Sequence, residues 1–135
     1  MQGLRDNESG VAAIEFALVG PAFIGLVLGG LEYSFILFTQ NSSQNAARDV
    51  GRQLATARIA TSAADNAVRS QLPSWASSSA VITVSQSAPS DPATNAYSVT
   101  VSLPTQKATP FNFLTWTYEG KKIVTKTVFQ QEVDP

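Results

Sequence analysis

The stretch from Gly10 to Phe38 constrains the fold of this chain more than any other, because it is almost entirely apolar. Its only charged residues are Glu15 and Glu32. As an α-helix, residues 11–38 would extend about 42 Å, which is longer than the hydrocarbon core of a bilayer at about 30 Å. An apolar segment of this length predicts a transmembrane helix over residues 11–38.

The two acidic residues lie near the ends of this stretch. Glu15 and Glu32 are 17 residues apart, which corresponds to about 25 Å along a helix. They would therefore lie near opposite edges of the hydrocarbon core, whereas a charge at its centre costs about 2.5 kcal/mol or more. We interpret Glu32 as a second acid at the membrane edge. Glu15 lies inside the apolar run, so we expect it to have a specific partner.

Small residues recur at every fourth position of the apolar stretch. They are Ala13, Ala17, Pro21, Gly25 and Gly29. Small residues at this spacing let helices approach closely in a membrane, so we predict that this face packs on neighbouring helices. The alternative is composition alone, since glycine is frequent in membrane helices. Pro21 lacks a backbone donor and clashes with the preceding turn, so we also expect a kink or local melting there.

The residues after Phe38 are predicted to continue as an amphipathic helical stalk over 39–72. Apolar and small residues follow one narrow stripe in steps of three and four. The stripe consists of Ala47, Val50, Leu54, Ala57, Thr61, Ala64 and Val68. It would pack on the chain's own C-terminal domain, on another subunit, or on both. Ser62 and Asp65 have the spacing of a capping box, which predicts a break near 60–62, and Pro73 ends the second helix.

Residues 73–135 have the pattern of a β-rich domain. Between Tyr97 and Leu103, apolar residues alternate with serine and threonine, which is typical of a half-buried antiparallel strand. Residues 81–85 and 123–130 are further strand candidates, whereas the aromatic-rich residues 111–118 are ambiguous. The predicted fold class is therefore α+β. A long N-terminal membrane-spanning helix continues into an amphipathic helix and is followed by a small antiparallel β-sheet domain.

Composition argues against several kinds of function. The net charge of −1 disfavours nucleic-acid binding, which usually needs a basic surface. Because the chain has no cysteine and no histidine, it lacks thiol chemistry and the commonest general base and metal ligand. No residue spacing indicates a catalytic site, a cofactor or a metal, so we expect no enzymatic activity. The four lysines of the C-terminal third either face an anionic surface or, as we favour, guard a sheet edge.

The N-terminal motifs resemble those of type IV prepilins. Gly10 is followed by four small or apolar residues and then by Glu15 and Phe16, as at the site where a prepilin peptidase cuts after the glycine. The chain is more narrowly similar to the TadE-like pseudopilins of the tight-adherence (Flp) pilus. Three segments carry this similarity: A-I-E-F-A-L with Pro21, L-E-Y around Glu32, and N-A-A-R-D-V-G-R at residues 45–52.

The resemblance implies a minor pilin or pseudopilin whose leader, residues 1–10, is removed by cleavage between Gly10 and Val11. It also implies that Glu15, with Phe16 beside it, acts in assembly by pairing with the positive amino terminus of a neighbouring subunit. Pairing with the Val11 amine of the same chain is the alternative. The implied partners are a prepilin peptidase, other pilins, assembly platform proteins and membrane lipid. The implied location is the bacterial inner membrane, with a single pass and an extracytoplasmic C-terminus, or the pilus at the cell surface.

A second hypothesis comes from another functional class. The chain could instead be an uncleaved, single-pass module anchored in the membrane, which binds a partner in the cell envelope or acts as an assembly-platform scaffold. On this hypothesis Gly10 is dispensable and residues 1–10 stay attached.

Overall fold

One long helix organises the structure, a computed structural model that describes residues 3–133 apart from the side chains of residues 3–9 and 115. The ends of the predicted leader and of the predicted β-rich domain, residues 1–2 and 134–135, lie outside the described residues. Helix α1, Gly3–Ala55, has 53 residues, or about 80 Å of helix. It passes through Pro21 without interruption, so the expected local melting is absent. One missing donor leaves the rest of the hydrogen-bond ladder in place.

Helix α1 ends at Ala55 in a turn formed by Ala57. Ala57 has a φ of 53°, which lies in the left-handed region. The backbone N–H of Arg58 donates to the carbonyl of Gln53 at 2.8 Å, and the N–H of Ala57 donates to the carbonyl three residues before it at 3.1 Å. These bonds form a Schellman motif. The Ala55 carbonyl accepts a further bond from the N–H of Glu132 at 3.0 Å, so the C-terminal tail also caps the helix.

Three short helical segments connect α1 to the sheet. They are a 3₁₀ turn at Thr61–Ala63, helix α2 at Ala64–Arg69 and helix α3 at Ser74–Ser77. The capping box predicted at Ser62 is wrong, since Ala63 precedes α2 and no side chain caps it. Ser62 already lies in the 3₁₀ turn, whereas an N-cap residue normally has an extended backbone.

Three antiparallel strands form one sheet in the order β1-β2-β3. The strands are β1 (Val81–Gln86), β2 (Ala96–Pro104) and β3 (Lys122–Gln130). In the register, Val101 lies opposite Ile82 on one side and Thr125 on the other. A long N-terminal apolar helix followed by a small three-stranded antiparallel sheet confirms the predicted α+β class.

The core lies between the sheet and the C-terminal half of α1. The inward residues of β2 are almost fully buried, as are those of the predicted stripe on α1 and α2. These residues are Val99, Val101 and Leu103 with Ala47, Val50, Leu54, Ala64 and Val68. Two stripe positions, Ala57 and Thr61, are instead exposed, because α1 has already ended and the chain changes direction between them. The stripe therefore packs on the chain's own sheet.

Gly51 marks the closest approach of α1 to strand β3. A Cβ atom on this glycine would lie 2.6 Å from Cδ2 and 2.9 Å from Cε2 of Phe129. Real side chains essentially never approach so closely, so the ring of Phe129 occupies the space that any larger residue would need. A glycine here lets the helix and the strand meet.

Candidate membrane and assembly segment

The part of α1 at residues 11–27 is not covered by any other described part of the chain. Residues 11–28 are exposed, except for the partly exposed Gly20 and Gly25. Large apolar side chains such as Phe16 and Leu26 are 78% and 75% exposed. Among the described residues, one helix is long and apolar enough to cross a membrane, and its most apolar window has a mean hydropathy of 2.2 with no residue buried. A helix that is apolar on all sides needs an apolar environment.

The residues expected to act in processing and assembly lie on this exposed part of α1. Gly10 is inside the helix, and an added Cβ there would meet no atom within 4 Å. Val11, Glu15 and Phe16 are all exposed. The structure thus leaves these four residues accessible to another protein, and it does not use Glu15 to hold the fold.

The face of small residues is divided between two environments. Ala13, Ala17 and Pro21 are exposed, and Gly25 has open space around it. At Gly29, by contrast, an added Cβ would lie 3.3 Å from Cδ1 of Leu114. The first four positions are therefore free to pack on neighbouring helices, whereas Gly29 accommodates the chain's own C-terminal loop.

Glu32 differs sharply from Glu15 in its surroundings. Its side chain is 1% exposed, and its Oε2 accepts a hydrogen bond of 2.7 Å from the backbone N–H of Leu114. Glu32 therefore ties α1 to a loop that is 82 residues away in sequence. Hydropathy and spacing alone could not reveal this contact, because the partner is a backbone group.

A second contact joins α1 to the C-terminal unit two turns further on. The hydroxyl of Thr39, which is fully buried, donates to the carbonyl of Ala108 at 2.6 Å. The indole N–H of Trp75 donates to the same carbonyl and to the Thr39 hydroxyl oxygen, both at 3.2 Å. Ile36 is 6% exposed between these contacts. One face of α1 from Glu32 to Thr39 is therefore covered by the chain itself.

Aromatic rings surround this junction. Phe35 contacts Trp75 and Phe111 edge to face, with ring centroids 5.6 and 5.5 Å apart, and Phe38 lies 6.3 Å from Trp75. In the adjoining loop, Phe111, Phe113 and Trp116 are 53%, 48% and 77% exposed. The loop corresponds to the ambiguous residues 111–118, and its aromatic content was the available sequence signal.

These features define a class of protein: an α+β unit carried on a long helix whose N-terminal half is apolar and unpartnered. Within that class, the model of the family described as TadE-like protein matches residues 10–52. This range is 43 of the 135 residues, about a third of the chain. It contains Gly10, Glu15, Glu32 and the N-A-A-R-D-V-G-R segment, and it confirms the resemblance found in the sequence.

No curated protein and no solved structure gives a significant match to this chain. The TadE-like family is structural and not enzymatic, and it is associated with the tight-adherence pilus. The matched residues include most of the one helix, among the described residues, that is long and apolar enough to cross a membrane.

Proposed function

We propose that this chain is a minor pilin or pseudopilin that a prepilin peptidase cleaves between Gly10 and Val11. The cleaved protein then takes part in the assembly, initiation or capping of a tight-adherence pilus. The observation that carries the proposal is the coincidence of the TadE-like match with the exposed apolar half of α1. The match begins at Gly10, where the apolar run begins in the sequence, and it includes the exposed acid Glu15.

The exposure of Glu15 supports a role between subunits. Among the residues whose side chains the structure describes, Glu15 forms no hydrogen bond or ion pair, and it lies on the same helix as the open positions Ala13, Ala17 and Gly25. In a bundle of such helices, a neighbour's positive amino terminus would meet this carboxylate. A buried ion pair adds little stability over apolar packing, but removing one partner costs about 3–5 kcal/mol. Glu15 would therefore fix the register of neighbouring subunits.

The proposed topology follows from the cleavage site. A peptidase that acts on the cytoplasmic side requires Gly10 at that face of the inner membrane, which leaves residues 39–135 outside the cytoplasm. Leader residue Arg5 agrees with the positive-inside rule, whereas Arg48 and Arg52 lie beyond the helix and oppose it. The partners in this topology are the peptidase, other pilins and the assembly platform.

Cleavage is tested by replacing the glycine at the proposed site. In cells that contain the peptidase, we expect the wild-type chain to begin at Val11 and Gly10→Leu to retain Met1, because a bulky side chain blocks the cut. Intact mass spectrometry measures both chain lengths and any methylation of the new amino terminus. Gly30→Leu is a matched control on the same helix, at a position with no atom within 4 Å of an added Cβ, and it should be cleaved normally.

The second hypothesis, an uncleaved anchored module, gives the opposite result. It predicts that the wild type and Gly10→Leu have the same length and both retain Met1. A second prepilin of the same cells provides the check that the peptidase is active. Persistence of Met1 in the wild type under those conditions rejects the proposal.

A further inference from the structure

Six aromatic side chains are concentrated in the region where α1 meets the C-terminal unit. We call this group the aromatic collar. Its members are Phe35, Phe38, Trp75, Phe111, Phe113 and Trp116. They come from three separate segments, which are helix α1, helix α3 and the loop at 110–117. The chain has seven phenylalanines and two tryptophans, so the collar holds four of the seven and both tryptophans. This concentration requires an explanation beyond the packing of a core, because four of the six collar residues are exposed.

The position of the collar along α1 matches the edge of a bilayer. From Val11 to Leu31 the helix rises about 30 Å, which equals the thickness of a hydrocarbon core. Leu31 is 49% exposed and borders two shallow apolar depressions along one face of the helix, one lined by Phe111 and Phe113 and the other by Phe35, Phe38 and Trp75. The collar therefore begins where the hydrocarbon would end.

The polar contacts just beyond Leu31 also indicate that the hydrocarbon core ends near this residue. The Glu32 carboxyl accepts a hydrogen bond from the N–H of Leu114, and the Thr39 hydroxyl donates one to the carbonyl of Ala108. These bonds join α1 to the folded C-terminal unit, so the helix cannot enter lipid past Glu32 without bringing that unit with it. Because the Glu32 bond positions Leu114, it also positions the neighbouring Phe113, which lines a depression with Leu28 and Leu31.

The exposed side chains in and around the collar suit the interface between hydrocarbon and headgroups. Tryptophan is enriched in that layer because its ring is apolar and its N–H is polar, and Trp116 is 77% exposed. Phe111 and Phe113 add exposed apolar surface in the same loop. Exposed Lys107 and Lys121 flank the loop in sequence, and lysines near the surface of anionic lipid are attracted to it by about 1 kcal/mol each.

We infer that the aromatic collar is a lipid-binding surface that seats the C-terminal unit on the outer interface of the bilayer. The hydrocarbon core then ends near Leu31, seven residues before Phe38. A bilayer fits this surface better than a second copy of the chain, because the collar directly continues the exposed apolar surface of α1 that precedes it. The inference rests on the membrane anchoring in the proposed function, but not on cleavage at Gly10.

The test uses the unmodified full-length chain, since its two tryptophans both belong to the collar. The protein is reconstituted into vesicles of phosphatidylcholine and phosphatidylglycerol that carry bromine either near the headgroup end or near the methyl end of the acyl chains. Bromine quenches tryptophan fluorescence on contact. We expect a loss of fluorescence that is larger with bromine near the headgroups. Equal fluorescence in brominated and unbrominated vesicles overturns the inference, as does stronger quenching by the deeper bromine.

Thiol labelling provides an independent measurement, because the chain has no cysteine of its own. Phe113→Cys places a thiol in the collar, and Thr83→Cys places one on the exposed face of β1. In vesicles, a water-soluble maleimide should label Phe113→Cys much more slowly than Thr83→Cys, and the difference should vanish after denaturation. Equal labelling rates in vesicles contradict the inference.

Two further outcomes separate the alternatives. If Phe113→Cys is protected but the tryptophans are not quenched, and if Phe113→Cys chains form disulfide-linked dimers, then a second copy covers the collar and the lipid assignment is wrong. Cleavage at Gly10 is not needed in any of these vesicle experiments. A failure of processing and a failure of the collar are therefore seen in different measurements.

Discussion

Gly51 shows how one residue can determine whether the helix and the sheet fit together. In Gly51→Ala, the added Cβ would lie 2.6 Å from Cδ2 of Phe129, so the ring must move away from its place on β3. We expect the free energy of unfolding to fall by about 1–3 kcal/mol from this overpacking, partly offset by about 0.5–1 kcal/mol from the better helix propensity of alanine. Urea denaturation of the full chain in detergent measures the change.

The contact with Phe129 can be separated from the helix propensity by two controls. Gly30→Ala makes the same change in α1 where nothing lies within 4 Å, and it should leave stability equal or slightly higher. Gly51→Ala should also cost less in a Phe129→Leu background, because the smaller side chain gives way. If Gly51→Ala is as stable as the wild type, the close approach is not a constraint on the fold.

At the scale of the element, helix α1 ends in a turn at Ala57, whose left-handed backbone conformation is unfavourable for alanine. A left-handed backbone costs about 1–2 kcal/mol for a residue other than glycine, and Ala57 has a φ of 53°. We therefore expect Ala57→Gly to raise the free energy of unfolding, by about 1 kcal/mol after the larger entropy of the unfolded glycine is subtracted. Thermal unfolding followed by circular dichroism measures the shift.

The matched control for this prediction is Ala55→Gly, two residues earlier at the last residue of α1. Ala55 is 4% exposed, and replacing alanine by glycine within a helix costs about 0.5–1 kcal/mol. The two substitutions should thus shift the unfolding temperature in opposite directions. If Ala57→Gly lowers it as Ala55→Gly does, the turn at Ala57 is not under strain.

The elements that the sequence predicted well are those with long periodic patterns. The apolar run and the stripe at Ala47, Val50 and Leu54 indicate α1, and the alternation around Val99 and Val101 indicates β2. The elements that it missed are set by tertiary contacts. Ala57 ends α1 without the usual glycine because Arg58 and the C-terminal tail supply the capping bonds.

At the scale of the whole molecule, the candidate site divides into a part readable from sequence and a part created by folding. Gly10, Val11, Glu15 and Phe16 form a local motif, so spacing alone identifies them. The bond between Glu32 and the Leu114 N–H spans 82 residues and involves a backbone donor, so no local pattern encodes it. The aromatic collar was equally hidden, because its members come from three segments.

Because Glu15 lies outside the fold and Glu32 lies within it, the two acids of the apolar stretch give different predictions. Glu15 is exposed and outside the fold, so Glu15→Gln should leave thermal unfolding unchanged and still reduce incorporation into the pilus. Glu32 is buried against Leu114, so Glu32→Ala should lower the free energy of unfolding by about 1–3 kcal/mol, because the part-buried Leu114 N–H loses its partner and the buried side chain is removed.

Both variants are compared in cells that assemble the pilus, by pilus yield and by co-purification of this subunit with sheared fibres. Glu15→Gln should be present in the membrane at wild-type levels but depleted from fibres, since a neighbour's amino terminus would lose its partner in an apolar bundle. Glu32→Ala should instead lower the amount of protein in the membrane itself. If Glu15→Gln enters fibres at the wild-type level, its charge is not what assembly requires. If Glu15→Gln protein disappears from the membrane, Glu15 acts in insertion or stability, and the anchored module without cleavage becomes the better description.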